Sequence, residues 1–274
     1  MLFPPGTILQ RMYLRRRLAR MRPGRFIEVG AGEGHLSALL LSAGWRGAGI
    51  EADAASAARA SEVNRDAIAQ GSYEVVNGSW LEPAEGGRLP KDVDLIVSCM
   101  VLEHLDERGE RAYFERCAEH LGRAGRVILL VPACEAAWGI EDVLAGHFRR
   151  YSRTRIRQLL DAIGWRLEHL AGLTYPVSNL LLPLSNRLVR RAEAHKQALS
   201  MQERTSSSGR RQVPGKTAIP AIAGLILNEI TMYPLHLLQL ACRGARSALV
   251  LYAEARPSFP ADAPCDAAPA AAQQ

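Results

Sequence analysis

The sequence predicts an α/β fold with a doubly wound, mostly parallel sheet of seven strands and a helical insert before the last strand. Three observations support this prediction. Short apolar runs alternate with helical patterns from about residue 20 to residue 170. A glycine-rich turn joins the first of these runs to a helix. About 75 residues containing two leucine-rich helical patterns separate the sixth run from the seventh.

The N-terminal segment, residues 1–22, precedes the sheet. Within it, residues 7–20 place apolar side chains among five arginines, which predicts an amphipathic helix. We expect this helix to pack on the edge of the sheet or to cover the site.

The most informative stretch is residues 26–34, FIEVGAGEG, which predicts a strand, a tight turn and the start of a helix at His35. Glycine allows positive φ angles and lets a ligand lie against the backbone. The free N–H groups of the helix start attract a negative group, whereas Glu28 attracts a cationic one. A ligand with both an ammonium and a carboxylate suits this combination, although a tight turn that binds nothing is the simpler alternative.

A dinucleotide site is the rival interpretation of this turn. Its G-x-G-x-x-G pattern, started at Gly30, requires a glycine at the position of His35, and the glycine instead falls at Gly34. Glu28 is also a poor neighbour for a pyrophosphate. An oxidoreductase is therefore the weaker hypothesis.

The remaining elements follow in order. The second strand ends in Glu51, where a carboxylate would meet a ribose hydroxyl pair, and Asp53 is an alternative. Later strands are predicted at 73–79, 94–99, 126–132 (after a turn at 123–125), 165–170 and 248–254. Helices are predicted at 106–121 and at 153–163, the latter between Ser152 and Gly164.

The predicted domain comprises residues 23–172 and 246–256, interrupted by a helical insert at 173–245. The insert has helical parts at 175–194 and 217–243, a polar loop at 200–215, and Pro183, Pro220 and Pro234 expected to break or kink its helices. A cap over the substrate cleft is favoured, and an amphipathic surface for a membrane or lipidic substrate is the alternative. Residues 257–274 are predicted to be a disordered tail.

Composition limits the possible partners and compartment. The net charge is +6 and the pI is about 9.3, but the sequence has no zinc-finger spacing or RNA-binding aromatic signature, so no nucleic acid is expected. Anionic lipid head groups or a phosphorylated substrate remain alternatives to a solvated basic surface. Five cysteines without metal spacing, and no signal peptide or spanning segment, predict a cytoplasmic protein, with peripheral membrane contact left open.

Five motifs in this order resemble the class I S-adenosylmethionine-dependent methyltransferases, which have a Rossmann-like fold. The motifs are Glu28-x-Gly30-x-Gly32-x-Gly34, Gly49-Ile50-Glu51, Asp94–Val97 with Val101–His104, Gly125–Val127 leading to Val131-Pro132, and Asp142-x-x-x-Gly146-His147-x-Arg149-Arg150-Tyr151. The last motif is similar to a segment of one bacterial subgroup found near glycan, lipid or natural-product genes.

The resemblance implies that S-adenosyl-L-methionine is the cofactor. The implied cofactor-binding residues are Glu28, Gly30, Ala31, Gly32, Gly34, Glu51, Ala52, Ser79, Trp80 and Cys99. Glu28 and the glycine backbone would face the methionine part, and Glu51 would hold the ribose hydroxyls. Many members have an acid on the adenine amino group where this chain has Ser79, so that contact is the weakest of the set.

Methyl transfer to a hydroxyl or a protonated amine is helped by a base, and histidine is well tuned for this role. His147 and His104 follow strands at the ligand-binding edge and are the candidate catalytic residues, although both also suit structural roles. Arg149, Arg150 and Tyr151 are candidate contacts for a phosphate or sugar, with a salt-bridge cluster as the alternative. Asp142 could orient His147, and no metal site is expected.

These observations together predict an S-adenosylmethionine-dependent methyltransferase acting on a small-molecule, glycan or lipid-linked acceptor, with methylation at oxygen favoured. The alternative is a non-catalytic scaffold of the same fold that docks on a membrane or protein partner through its insert.

Overall fold

The computed structural model describes residues 2–82, 89–193 and 224–258. Its strands are β1 Arg25–Val29, β2 Arg46–Glu51, β3 Tyr73–Asn77, β4 Val93–Cys99, β5 Leu121–Pro132, β6 Trp165–Leu173 and β7 Val250–Pro257. Its helices are α1 Pro5–Leu18, α2 His35–Ser42, α3 Ala54–Val63, α4 Arg65–Ala69, α5 Glu107–His120, α6 Ile140–Ala145, α7 Arg153–Ala162, α8 Val177–Glu193 and α9 Tyr233–Ala241. The predicted loop at 200–215, Pro220 and nearly all of the predicted tail lie outside the described residues.

The strands form one seven-stranded sheet in the order β3-β2-β1-β4-β5-β7-β6. Strands β1 to β5 pair in parallel, and β7 pairs antiparallel with both β5 and β6. The predicted fold class is confirmed. Because the parallel strands all end at one edge, the segments that follow them meet there, and this is the edge where ligands bind in such sheets.

Local sequence signals account for the ends of several elements. The Ser152 hydroxyl accepts a hydrogen bond from the Arg155 N–H at 3.1 Å and caps α7, and Gly164, with a φ of +70°, follows its end. Asp106 caps α5 in the same way, through the Gly109 N–H at 2.7 Å. These two helices lie within a residue of their predicted bounds.

Helix α1 packs against the sheet, as expected. Its Tyr13, Leu14 and Leu18 belong to the core that covers one sheet face. Arg17 donates to the buried Glu254 of β7 at 2.7 Å, which fixes the C-terminal half of the helix to the sheet. The N-terminal end of α1 is therefore held over the carboxyl ends of the strands.

The structure corrects three details. The predicted turn at 123–125 lies inside β5, where the register with β4 shifts between Val93 and Leu95. Pro183 lies within α8 without ending it, and Pro234 lies in the first turn of α9, where its missing N–H removes no helical hydrogen bond. The second helical part of the insert, expected from 217, is an α-helix only from Tyr233 within the described chain.

The apolar side chains of the insert are not all covered by the described residues. Leu180 on α8 is 78% exposed, and Leu225 and Ile230 before α9 are 77% and 87% exposed. None of the helices in the described part of the chain is long and apolar enough to cross a bilayer.

Candidate functional site

A cavity of about 1220 Å³ lies where the parallel strands end. Its walls include residues that end or follow β1, β2, β4 and β5, such as Gly30, Glu51, Met100 and Pro132. The start of α1 and one face of α8 form further walls. The sequence anticipated a helix that covers the site, but not that Thr7 and Gln10 would line it.

The three glycines of the first turn have different roles. All have positive φ angles, of +72° for Gly30, +53° for Gly32 and +80° for Gly34. A Cβ on Gly32, which lines the cavity, would have no protein atom within 4 Å. A Cβ on Gly30 would lie 2.6 Å from the Val101 side chain. The lack of a side chain at Gly30 therefore leaves room for Val101, in the segment that follows β4.

Gly34 and Ala31 do not line the cavity, and their implied cofactor contacts stay predictions. A Cβ on Gly34 would lie 2.8 Å from the Ala60 Cα and 2.4 Å from the Asn64 side chain, so this glycine allows α2 and α3 to approach each other. Ala31 is buried, and its N–H donates to the Ile50 carbonyl at 3.1 Å. Both residues support the conformation of the turn without forming part of the cavity wall.

For Glu28, the implied contact with the methionine part of the cofactor stays a prediction. Its side chain is 2% exposed and is not part of the cavity wall. The carboxyl accepts a hydrogen bond from the Ser37 hydroxyl, which lies 2.7 Å from the Tyr73 hydroxyl. Burial raises the pKa of Glu28 to about 8, even though the Ser37 hydrogen bond favours the charged form. Glu28 thus holds α2 on the sheet and carries little negative charge at neutral pH.

Glu51 lies where the sequence placed it, at the end of β2 and on the cavity wall. Its Oε2 accepts the Gly32 N–H at 2.8 Å, and its Oε1 accepts the Asp53 N–H at 2.9 Å. A carboxylate has about four acceptor positions, so it can accept further hydrogen bonds from ribose hydroxyls. This carboxylate also fixes the glycine turn next to it, and Ala52 lines the adjacent wall.

Ser79, Trp80 and Cys99 all line the cavity. Trp80 is 6% exposed, and its indole N–H donates to the Tyr113 carbonyl at 3.3 Å, which fixes the ring. Burial raises the pKa of the Cys99 thiol to about 12, so this side chain is a neutral part of the wall. The structure therefore brings Ser79 and Trp80, predicted at the adenine, and Cys99, predicted to bind the cofactor, to the same cavity as Gly32 and Glu51.

His147 is oriented by Asp142, as the sequence suggested. The Nδ1 atom of His147 lies 2.9 Å from Asp142 Oδ1, and Arg150 Nε donates to both Asp142 oxygens at 2.8 and 3.0 Å. Burial by itself would raise the pKa of Asp142, but these hydrogen bonds outweigh it and hold the pKa below its usual value. In the tautomer of His147 that donates its Nδ1–H to the ionised Asp142, the lone pair lies on Nε2.

His104 lies beside His147 on the cavity wall, with ring centroids 4.8 Å apart at an interplanar angle of 80°. Burial, together with the neighbouring His147, lowers the pKa of His104 to about 4, so the ring is neutral at pH 7. Glu103, which also lines the cavity, has its Oε1 3.9 Å from His147 Nε2. Burial raises the pKa of Glu103 to about 8.

Arg149 and Tyr151 take part in the salt-bridge cluster that was the alternative to substrate contact, and their substrate contacts stay predictions. Neither residue lines the cavity, because Glu110 of α5 holds both. Arg149 Nη1 lies 2.6 Å from Glu110, and the fully buried Tyr151 hydroxyl donates to the same carboxylate, with the Leu102 carbonyl 3.1 Å away. Arg150 does line the cavity, although its guanidinium is committed to Asp142 and to the Ala133 carbonyl at 3.1 Å.

No signal in the sequence indicated which residues form the apolar wall of the cavity. Leu181, Leu184 and Leu188 of α8 line the cavity together with Leu227, which precedes α9. The leucine-rich pattern predicted the helix and a cap over the cleft, but only the packing shows which leucines face the cavity.

Comparisons with known proteins agree with this architecture. A family model described as a methyltransferase domain matches residues 8–170. A search of curated proteins gave no match.

Among solved structures, a protein described as a sarcosine dimethylglycine methyltransferase from Galdieria sulphuraria has 16% identity and a TM-score of 0.55, over 91% of this chain and 85% of that one. The glycopeptide N-methyltransferase MtfA has 15% identity and a TM-score of 0.51, over 90% of each chain. The mitomycin 7-O-methyltransferase MmcR has 18% identity and a TM-score of 0.48, over 60% of this chain and 50% of that one, so this chain spans about half of its length.

Proposed function

Since the chain belongs to the family of S-adenosylmethionine-dependent methyltransferases, we propose that it methylates a hydroxyl oxygen of an apolar small-molecule or lipid-linked acceptor. The observation that carries this proposal is that His147, oriented by Asp142, lines the same cavity as the glycine turn and Glu51.

The cavity wall around Gly32 suits the cofactor, because the open backbone there leaves room for a ligand that a side chain would displace. S-adenosylmethionine supplies an electrophilic methyl group on its sulfonium. Gly30 and Gly32 would hold its methionine part, Glu51 its ribose hydroxyls, and Ser79 and Trp80 its adenine. Glu28 supports the turn without contacting the cofactor.

The size and lining of the cavity favour an apolar acceptor. A volume of about 1220 Å³ exceeds the roughly 300–1,000 Å³ typical of a pocket for one small ligand, so cofactor and acceptor can bind together. The leucines of α8 and Leu227 offer the acceptor an apolar surface. A glycan without an apolar part would leave this surface unused, which is why apolar and lipid-linked acceptors are preferred among the predicted classes.

The two histidines on the cavity wall support our proposal of oxygen as the methylated atom. A hydroxyl must lose its proton as its oxygen attacks a methyl group, and a positioned base contributes about 10²–10⁴-fold. Because Asp142 fixes the Nδ1 proton of His147, Nε2 is the atom that accepts the hydroxyl proton. His104, neutral beside it, positions the hydroxyl by a hydrogen bond.

The test uses apolar phenols and alcohols, each with a matched amine, and detects products by the mass gained with one methyl group. We expect hydroxyl products, and His147→Gln should lower kcat by about 10²–10⁴-fold while leaving cofactor affinity unchanged. His169→Gln is the matched control, because His169 is half-buried and outside the cavity wall. Methylation of the amines alone, or full activity of His147→Gln, would contradict the assignment to oxygen and to this base.

Peripheral membrane contact is a second candidate, supported by the exposed Leu180 and Ile230 of the insert. Flotation with vesicles containing phosphatidylglycerol tests it. Replacing both Leu180 and Ile230 with glutamate should abolish association with the vesicles. Val63→Glu on α3, where the side chain is 39% exposed, should not abolish it. Failure of the wild-type protein to float would remove this candidate.

A further inference from the structure

We propose that Glu103, His104 and His147 form a binding site for one divalent transition-metal ion of the zinc class. These residues have no metal-ligand spacing in the sequence, because Glu103 and His104 follow β4 while His147 follows α6. The fold brings the three side chains together on one wall of the cavity.

The distances between the donor atoms suit a shared ion after a small adjustment. One ligand atom from each residue can be chosen so that all three lie within 4.8 Å of one another, and His147 Nε2 is 3.9 Å from Glu103 Oε1. Metal–ligand bonds of about 2.0–2.2 Å in a tetrahedral zinc site place neighbouring donor atoms about 3.4 Å apart. Side-chain shifts of about 1 Å would close the site.

Unsatisfied polar atoms point to a ligand here. Glu103 is 0% exposed, and within the described residues neither of its carboxylate oxygens has a hydrogen-bond partner. The Nδ1 atom of His104 is also buried and unpartnered there. Buried polar atoms normally find partners, and a buried carboxylate without one is costly. A cation bound by one donor atom from each residue would give the Glu103 carboxylate a partner.

The surroundings of His147 match those of a metal ligand. Histidines that bind metals usually donate their other ring N–H to a carboxylate or carbonyl, which fixes the ring orientation. Asp142 accepts from His147 Nδ1 at 2.9 Å and is itself held by Arg150, so Nε2 is directed away from Asp142 with its lone pair available.

The donor set selects the class of ion. Two imidazole nitrogens and one carboxylate suit zinc, iron, cobalt or nickel, whereas magnesium and calcium prefer all-oxygen sites. Three protein ligands leave a position open, as in catalytic zinc sites.

The role of the ion rests on the proposed function. If the ion were bound, His147 Nε2 would be one of its ligands and could not act as the base. A hydroxyl at the open position would then have a lowered pKa and would release its proton to water.

The test measures metal binding without cofactor or acceptor, on untagged protein freed of metal by chelation. Visible absorption during Co²⁺ titration and calorimetry with Zn²⁺ should both give one ion per chain. Glu103→Gln, His104→Gln and His147→Gln should each weaken binding by at least about tenfold, and His169→Gln should leave it unchanged. Circular dichroism and S-adenosylhomocysteine affinity report whether each variant is folded.

Absence of one-to-one saturable binding, or equal affinities in the wild type and the three folded variants, would overturn the site. These outcomes are independent of methyl transfer, so they can be told apart from failure of the proposed function. Transfer activity without any metal binding would leave His147 as the base and reject the ion.

Discussion

Replacing Gly32 with alanine tests whether the open glycine turn is the cofactor site. The new methyl group would meet no protein atom within 4 Å, so its effect on stability comes from the backbone alone. A non-glycine residue in the left-handed region costs about 1–2 kcal/mol, and Gly32 has a φ of +53°. The same methyl group would occupy cavity space next to Glu51, where the cofactor is expected.

Two other glycines provide matched comparisons. Gly71 has a φ of +67°, also has no atom within 4 Å of a Cβ, and does not line the cavity. Gly71→Ala should therefore lose about the same 1–2 kcal/mol without any effect on binding. Gly34→Ala should lose more, about 2–5 kcal/mol, because overpacking against Ala60 adds about 1–3 kcal/mol to the backbone term.

Urea unfolding gives the stability of each variant, and calorimetry with S-adenosylhomocysteine gives the affinity. We expect Gly32→Ala to weaken binding by at least about tenfold, or about 1.4 kcal/mol, and Gly71→Ala to bind like the wild type. If Gly32→Ala and Gly71→Ala bind equally well, the cofactor does not contact this turn, and the assignment of the site is wrong.

Three further predictions concern individual side chains. The pKa of Glu28 is raised to about 8 in the folded chain, whereas the unfolded chain releases this proton near pH 4.5. The contribution of protonated Glu28 to the free energy of unfolding is therefore full below pH 4.5 and is lost as the pH rises towards 8. The stability of Glu28→Gln relative to the wild type should thus rise from pH 5 to pH 8, by up to about 1.4 kcal/mol per unit; an equal difference in urea unfolding at both pH values would contradict this. Glu51→Ala should weaken S-adenosylhomocysteine binding about 10- to 100-fold in calorimetry, since hydrogen bonds to a charged group contribute about 1.5–3 kcal/mol; unchanged binding would remove Glu51 from the site. Tyr151→Phe should lower the free energy of unfolding by about 1–3 kcal/mol, because the Glu110 carboxylate loses a buried hydrogen-bond donor. The KM for the acceptor should stay unchanged. A raised KM at unchanged stability would instead support a substrate contact of Tyr151.

The correct predictions came from features that are local in the chain. Alternating apolar runs and helical patterns are sufficient for the sheet, because each strand and helix is encoded by its own periodicity. The glycine turn and Glu51 belong to adjacent strands of one βαβ unit, so their proximity follows from the connection between them. Ser152 and Gly164 bound α7 by short-range hydrogen bonding and backbone freedom.

The sequence did not indicate which way several side chains face or which distant residues they contact. Glu28 and Gly30 lie two residues apart, yet one is buried against Ser37 and the other lines the cavity. Arg149 and Tyr151 appear polar and available in the sequence, but Glu110, about 40 residues away, holds both. No local sequence pattern indicates such contacts between residues that are distant in the chain.

The sheet and the glycine turn could be predicted from local patterns, and the motifs indicated the cofactor, because each depends on residues close together in the chain. The packing role of Gly34, the apolar wall supplied by α8, and the convergence of Glu103, His104 and His147 became visible in the folded chain. Convergence of side chains from separate elements depends on how those elements pack, and packing is set by the summed contacts of the whole core rather than by any one segment.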